Sequence, residues 1–466
     1  MTTKTEKLKA ARRKREKSRK RRPAEVSPWP DAEALPNPED APFFRQEPPI
    51  EQRLLGQLRK PFRVNVGSFA DAIRLHPAEI ADCDPARLNL LCAEGLPGAE
   101  DLDIDEYLHR LDVWSVWIAM QSKAEEDYFH SHKDDYFGSE PYWRMLSLTT
   151  TLQLHFGIRY EPKLMIGTNW DWQDSRDVLL NGLLGSRRTG SCPSLPVLLV
   201  VIARRLGYPL FQVHAPAHAF SRWDGTRPRP HRFPTWRQSI NFECHGKGLV
   251  TQTDEHYKRW PVSWTFEMIE AEKRRRRPLY LRNLDAAEMF AASLLQRAYV
   301  LLEHKRYDEC YVAAMAAGRF WPGHPMATLT CQDAHRHKLK QALRSWGLSD
   351  TKFFDRLKRR QAGDNITLPW ESAGQHPMYP GQPAPAEPVG ASEVAQRMGA
   401  EHAFQMDESG QLLPQSMIAD PIAAAMSAFG MTHANGERSP GAPLIHHIPE
   451  LTLEHAQWKT SNGVPR

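Results

Sequence analysis

Apolar residues recur every three to four positions in three segments of the first third of the chain: Asp84 to Glu94, Ile104 to Met120 and Tyr142 to Phe156. This spacing gathers apolar side chains on one face of a helix, so it predicts three amphipathic helices. Asp84 is a favourable helix start, because its carboxylate can cap the first turn and the proline that follows suits the first helical position. We therefore predict a helical N-terminal subdomain over residues 51–165.

In the central part of the chain the pattern changes from helical to strand-like. A helix is predicted from about Arg176 to Leu184, and a strongly apolar helix opens at Ser191–Pro196 and stops at Gly207, ahead of a proline. Three segments with strand composition follow, separated by turn residues: Leu210 to Val213, His218 to Trp223 and Gln238 to Glu243. A helix packed on an antiparallel sheet is an α+β arrangement, which we predict for a core over residues 166–280.

After the core, helical spacing returns. Two amphipathic helices are predicted between Asp285 and Pro322, and they resemble a single tetratricopeptide-type hairpin. A further helix is predicted from Asp333 to Trp346, which gives a helical extension over residues 281–372. Beyond it, residues 373–466 are rich in Pro, Gly and Ala and are predicted to be mostly disordered, with a short helix over Pro421 to Phe429.

Charge is concentrated at the start of the chain. The net charge is +5, yet Lys4 to Arg22 holds twelve Lys or Arg against Glu6 and Glu16, a local excess of 12 − 2 = +10. Such a block repels itself, so it either stays solvated or binds an anionic partner such as nucleic acid. A Pro-rich stretch follows to Pro49, so residues 1–50 are predicted to be a disordered leader.

Composition also bears on the compartment and on cofactors. The longest apolar run, Val197 to Ala203, is too short to cross a bilayer, and no signal-peptide core precedes it, so we predict a cytoplasmic protein without a membrane partner. The six cysteines form no CxxC pair, and His130 and His132 with two aspartates nearby suit a polar loop better than a metal site. With no phosphate-binding glycine motif either, no metal and no cofactor are predicted.

One cysteine lies where chemistry is favoured. Cys192 is placed at the start of the apolar helix, where unpaired N–H groups and the helix dipole stabilise a thiolate and can also stabilise an oxyanion. The alternative is a buried cysteine that begins a core helix, since cysteine is among the residues most often buried.

A thiol nucleophile needs a base and a group that orients the base. His218 begins the strand reached after the helix and is the predicted base, in preference to His214, which lies before a proline-containing turn. Asn241 lies on the next strand and is the predicted orienting residue, with Asp224 kept as an alternative although its Asp-Gly context indicates a turn. Cys, His and Asn in this chain order is the papain arrangement.

The residues around these positions resemble a known family. The runs Gly190-Ser-Cys-Pro-Ser-Leu-Pro, Ala203-Arg-Arg-Leu-Gly-Tyr-Pro, Ala215-Pro-Ala-His-Ala-Phe and Ile240-Asn-Phe-Glu are similar to the transglutaminase-like superfamily, in its bacterial SirB-type branch. The resemblance covers about Pro85 to Pro322. It implies a papain-like fold with Cys192 as nucleophile, His218 as base and Asn241 at the third position, where many transglutaminases have Asp.

Two functions are compatible with this reading. The first is a cysteine-dependent amide or peptide hydrolase or acyl transferase that acts on a peptide or protein, in which water or an amine resolves the acyl-enzyme. The second is a non-catalytic interaction scaffold, in which the helical extension binds a protein partner and the basic leader an anionic one.

Overall fold

A computed structural model describes residues 50–58, 62–161, 164, 172–226, 238–244, 248–376 and 378–383. The helices in chain order are α1 (Gln52–Leu55), α2 (Phe69–Arg74), α3 (Pro85–Ala93), α4 (Ile104–Ala124), α5 (Glu126–Ser131), α6 (Glu140–Thr150), α7 (Leu180–Leu184), α8 (Leu195–Leu206), α9 (Asp254–Tyr257), α10 (Phe266–Arg274), α11 (Ala286–Glu303), α12 (Tyr307–Phe320), α13 (Pro325–Ser345), α14 (Asp350–Gln361) and α15 (Pro369–Ala373). The strands are β1 (Arg159–Tyr160), β2 (Thr189–Gly190), β3 (Leu210–Ala215), β4 (His218–Asp224), β5 (Ser239–Glu243), β6 (Val250–Gln252), β7 (Gln375–His376) and β8 (Tyr379–Pro383).

Helices and an antiparallel sheet make this an α+β structure, as the sequence predicts. Residues 1–49 of the leader and the predicted helix over Pro421 to Phe429 lie outside the described residues, so those two expectations remain predictions. The first residues of the predicted tail form the β7–β8 hairpin, which packs Met378 against α13 and α14. No helix within the described ranges is both long and apolar enough to span a bilayer.

The N-terminal helices follow the predicted caps. The Asp84 carboxylate accepts from Ala86 N and starts α3, and Asp103 accepts from Glu106 N and starts α4. The third predicted helix is shorter than expected, because α6 passes into a π-helical turn over Thr151–His155. That wider turn ends at Phe156, whose ring stacks on Trp114 at 4.7 Å.

The central sheet has the strand order β3-β4-β5-β6, with every pair antiparallel. Leu210 and Trp223 on one face pack with the apolar side of α8 in a single core. On the other face Val213 and Phe220 pack with Tyr257 of α9. Strand β6 and helix α9 are absent from the sequence prediction, because segments of three and four residues are too short to show periodicity.

The cores of the predicted N-terminal subdomain and of the helical extension are continuous. Leu88 and Leu91 of α3 belong to the same buried cluster as Leu294 of α11 and Ala313 of α12. Asn89 links three parts of the chain: its Nδ2 donates to Ser293 Oγ at 2.9 Å, and its Oδ1 accepts from Leu180 N at 2.9 Å. The helical extension therefore packs against α3 of the predicted N-terminal subdomain.

Candidate active site

Cys192 lies in a tight turn just before α8. The predicted helix opened at Ser191–Pro196, whereas α8 begins at Leu195, because residues 191–194 form a capped turn in which Ser194 Oγ accepts from Ser191 N at 3.0 Å. The Ser191 hydroxyl donates to the Asp177 carbonyl and ties this turn to the preceding segment. Cys192 is partly exposed, and the other five cysteines are buried.

The glycine before this turn is required by close packing. A Cβ on Gly190 would lie 2.6 Å from Ser194 Oγ and 2.8 Å from Leu183 Cδ2. Gly190 belongs to β2, which pairs in parallel with β1, so Tyr160 lies beside it. Strand, turn and helix together hold the thiol at one end of the sheet.

His218 is the first residue of β4, and its imidazole contacts both Cys192 and Glu243. Nε2 lies 3.2 Å from Glu243 Oε2, and the two side chains are 7% and 4% exposed. Burial by itself lowers the pKa of His218, but the adjacent Cys192 and Glu243 side chains outweigh it and raise the pKa to about 10. The imidazole is therefore protonated at neutral pH.

Glu243 is a site residue that the sequence analysis did not assign. It is the last residue of β5, and it uses both carboxylate oxygens: Oε2 faces His218, while Oε1 accepts from the hydroxyl of Tyr257. Assigning Glu243 requires the pairing register of β4 and β5, which the sequence does not show. Because Ser221 pairs with Phe242, Glu243 lies beyond that pair, towards the His218 end of β4.

Asn241 does not lie against the imidazole. It pairs with Arg222, near the far end of β4, and its Oδ1 accepts from Arg222 Nε at 2.7 Å. Its Nδ2 donates to Gln252 O at 3.0 Å and to Asp254 Oδ1 at 2.9 Å. Residues 241 and 243 share one face of β5, and Glu243, two residues beyond the predicted Asn241, is the one that lies beside the imidazole.

The two alternatives also lie elsewhere. Asp224 accepts from Thr226 N and from Asn283 Nδ2, at the far end of β4. His214 lies beside Trp321 of the extension, with ring centroids 5.5 Å apart. Burial lowers the pKa of His214 to about 4, so this ring is neutral. Among the described residues, no three His, Cys, Asp or Glu side chains are grouped as a metal site, and this includes the surroundings of His130 and His132.

Tyr160 is a further neighbour of the thiol that the sequence analysis missed. Its hydroxyl contacts both the backbone and the side chain of Cys192. Burial and the adjacent Cys192 side chain raise the pKa of Tyr160. The β1–β2 pairing brings the phenol there.

A small pocket of about 20 Å³ lies between the start of α8 and the sheet. Its polar lining includes Cys192, His218 and Glu243, and its walls are mostly apolar. The lining residues are Tyr160, Cys192, Leu195, Pro196, Leu199, His218, Ala219, Phe220, Ser221, Phe242, Glu243 and Cys244. A thiol, a charged imidazole and a carboxylate at one end of an apolar pocket can carry out nucleophilic attack with proton transfer.

The arrangement can also be compared with known proteins. No family model, no curated protein and no solved structure matches the chain, so its functional assignment depends on the site itself.

Proposed function

We propose that the protein is a cysteine-dependent amide or peptide hydrolase or acyl transferase, built on a papain-like core of the transglutaminase-like kind. The observation that carries this proposal is the His218 imidazole, which contacts the partly exposed Cys192 and, at 3.2 Å, the Glu243 carboxylate. Nucleophile, base and orienting group are the three parts that thiol acyl transfer needs.

In the first half of the proposed reaction, the Cys192 sulfur attacks a carbonyl carbon and forms a carbon–sulfur bond. Since Nε2 of His218 faces Glu243, Nδ1 is the ring nitrogen that exchanges the proton. The imidazolium gives that proton to the leaving nitrogen as the carbon–nitrogen bond breaks. The product is a thioester on Cys192 and a free amine.

In the second half, His218 takes a proton from water or from a second amine. The attacking oxygen or nitrogen then displaces the sulfur from the thioester, and Cys192 returns as the thiolate beside the imidazolium. Hydrolysis and transamidation differ only in which of the two acceptors reaches the thioester.

Charge stabilisation has two sources in this proposal. The backbone N–H of Cys192 adjoins the reacting sulfur, and we assign to it the stabilisation of the oxyanion formed on attack. Glu243 supplies a negative charge beside the imidazolium, which an asparagine could not do. The site is therefore charged differently from the Cys-His-Asn arrangement expected from the sequence.

Alkylation of the folded, full-length chain tests the proposal. We expect iodoacetamide at neutral pH to modify Cys192 first, because its sulfur is partly exposed beside a cationic ring. Burial raises the pKa of Cys83 to about 11 and that of Cys92, Cys244 and Cys310 to about 12, so these thiols stay protonated. Peptide mapping by mass spectrometry gives the rate at each cysteine.

Three variants make the alkylation experiment specific. Cys244→Ala is the matched control, because it removes a buried thiol from the same pocket and is expected to leave the Cys192 rate unchanged. His218→Gln and Glu243→Gln are expected to lower that rate by roughly 10- to 100-fold, since each removes part of the charge that stabilises the thiolate.

p-Nitrophenyl acetate should acylate Cys192 in the wild type and leave Cys192→Ala unmodified. A folded protein whose Cys192 resists both reagents would favour the scaffold function.

A further inference from the structure

Tyr257 holds the side of Glu243 that faces away from His218. It is the last residue of α9, and its hydroxyl donates to Glu243 Oε1, while Oε2 faces the imidazole. The carboxylate is thus fixed at both oxygens. A carboxylate with one free oxygen could rotate about its last bond and leave the imidazole, so the phenol restricts it to one orientation.

The Tyr257 ring is itself held firmly. It is 0% exposed, and it stacks on Phe220 with ring centroids 3.8 Å apart and planes 5° from parallel. Burial, followed by the charge of Glu243, raises the pKa of Tyr257 well above its usual value, so the hydroxyl keeps its proton and remains a donor. The direction of the hydroxyl follows from this packing.

A second group of side chains fixes the short helix that carries Tyr257. Asp254, the first residue of α9, accepts from Arg222 Nη2 and, at 2.9 Å, from Asn241 Nδ2. Arg222 in turn donates to Asn241 Oδ1 at 2.7 Å and to Leu281 O at 3.0 Å. A helix of four residues has too few internal hydrogen bonds to hold itself, so these contacts anchor it to β4 and β5.

We propose that Tyr257 is a positioning residue of the site. Arg222, Asn241 and Asp254 form an anchor that holds helix α9, and so Tyr257, against Glu243. This inference rests on the proposed function. It adds a fourth member that acts through Glu243 rather than on the substrate. It also gives Asn241 an indirect role three contacts away from the imidazole: Asn241 to Asp254, Tyr257 to Glu243, and Glu243 to His218.

The test is Tyr257→Phe in the full-length chain, which removes the hydroxyl and keeps the ring on Phe220. Without the donor from Tyr257, the carboxylate is expected to turn towards other donors and to stabilise the imidazolium less. We expect the pKa of His218, followed by NMR of the imidazole C–H signal, to fall by roughly one unit. The iodoacetamide rate at Cys192 is expected to fall by about 10-fold.

Tyr142→Phe is the matched control. Tyr142 is also buried, with 3% of its surface exposed, and it does not line the pocket. It should leave both readouts unchanged. If Tyr257→Phe does not fold, as judged by circular dichroism, Asp254→Asn and Asn241→Ala carry the test, with smaller shifts in the same direction.

The two readouts separate this inference from the proposed function. An unchanged pKa of His218 in folded Tyr257→Phe overturns the positioning role, whatever the reactivity of Cys192. A wild-type Cys192 that fails to react, together with a lowered pKa of His218 in the variant, overturns the enzymatic proposal and leaves the positioning role of Tyr257 standing.

Discussion

At the scale of single residues, the composition of the site depends on which of two positions in β5 lies beside His218. Asn241 and Glu243 share a face of β5, and sequence order alone could not decide between them. The choice depends on which strand residues lie opposite each other, and the register sets Asn241 beside Arg222 and leaves Glu243 near His218. Cys192 and His218 each carry a local signal in the sequence, a predicted helix start and a predicted strand start, and the structure brings their side chains together.

The charged His218 predicts a pH dependence of stability. Its pKa is raised in the folded state to about 10 from 6.5 in the unfolded chain, so folding binds a proton more tightly. The stabilisation is complete below about pH 6.5 and is lost as the pH rises through 10. We expect the free energy of unfolding in urea to decline over this window.

The control for this pH dependence is His218→Gln, which has no proton to lose in that range. Its free energy of unfolding is expected to be lower than that of the wild type at pH 6.5, with the difference narrowing towards pH 10. A difference that stays constant over the whole window would show that the folded state does not hold the proton on His218.

At the scale of elements, long segments were predicted better than short ones. Helix α8 shows its apolar pattern over three turns and stops at Gly207, which has φ 77° as a left-handed cap. Helix α9 has only four residues, yet it carries Tyr257 to Glu243. Its formation depends on contacts with β4 and β5, and such contacts between distant residues leave no periodic signal in the sequence.

The close packing of the turn before α8 predicts that a methyl group added at Gly190 destabilises the protein. Gly190→Ala would place its Cβ against Ser194 Oγ and Leu183, and relieving that overlap should cost about 1–3 kcal/mol of unfolding free energy. It should also shift the turn that carries Cys192 and slow alkylation there. Urea denaturation and peptide mapping measure the two effects.

Gly318→Ala provides the matched substitution in α12, where the nearest side-chain atom, Ala327 Cβ, lies at an ordinary 3.5 Å. It should be neutral or stabilise the protein by up to about 1 kcal/mol, since alanine favours the helix. Equal effects of the two substitutions would argue against a tightly packed turn at Gly190.

At the scale of the whole molecule, the parts predicted separately share their interiors. Leu88 of α3 and Leu294 of α11 lie in one buried cluster, and Asn89 donates to Ser293 across it. The sequence indicates where helices lie along the chain. It could not show that helices some 200 residues apart pack together, because an apolar face is the same whichever partner covers it.

This shared interior predicts that the extension cannot be removed. A fragment of residues 51–280 would expose the apolar face of α3, which α11 covers in the full chain. We expect it to lose cooperative thermal unfolding by circular dichroism. A fragment of residues 51–383 keeps the cluster intact and should retain a cooperative transition. Cooperative melting of the shorter fragment would show that the extension is an independent domain.

One connection between core and extension has a further consequence. Leu281 N donates to His214 O, Leu284 N donates to Gln212 O, and Asn283 forms a bridge with Val213, so the linker lies along the outer side of β3. An uncovered strand edge is a template on which strands of other molecules can add. Because the linker occupies backbone groups along β3, a strand from another molecule is not expected to add at that edge of the sheet.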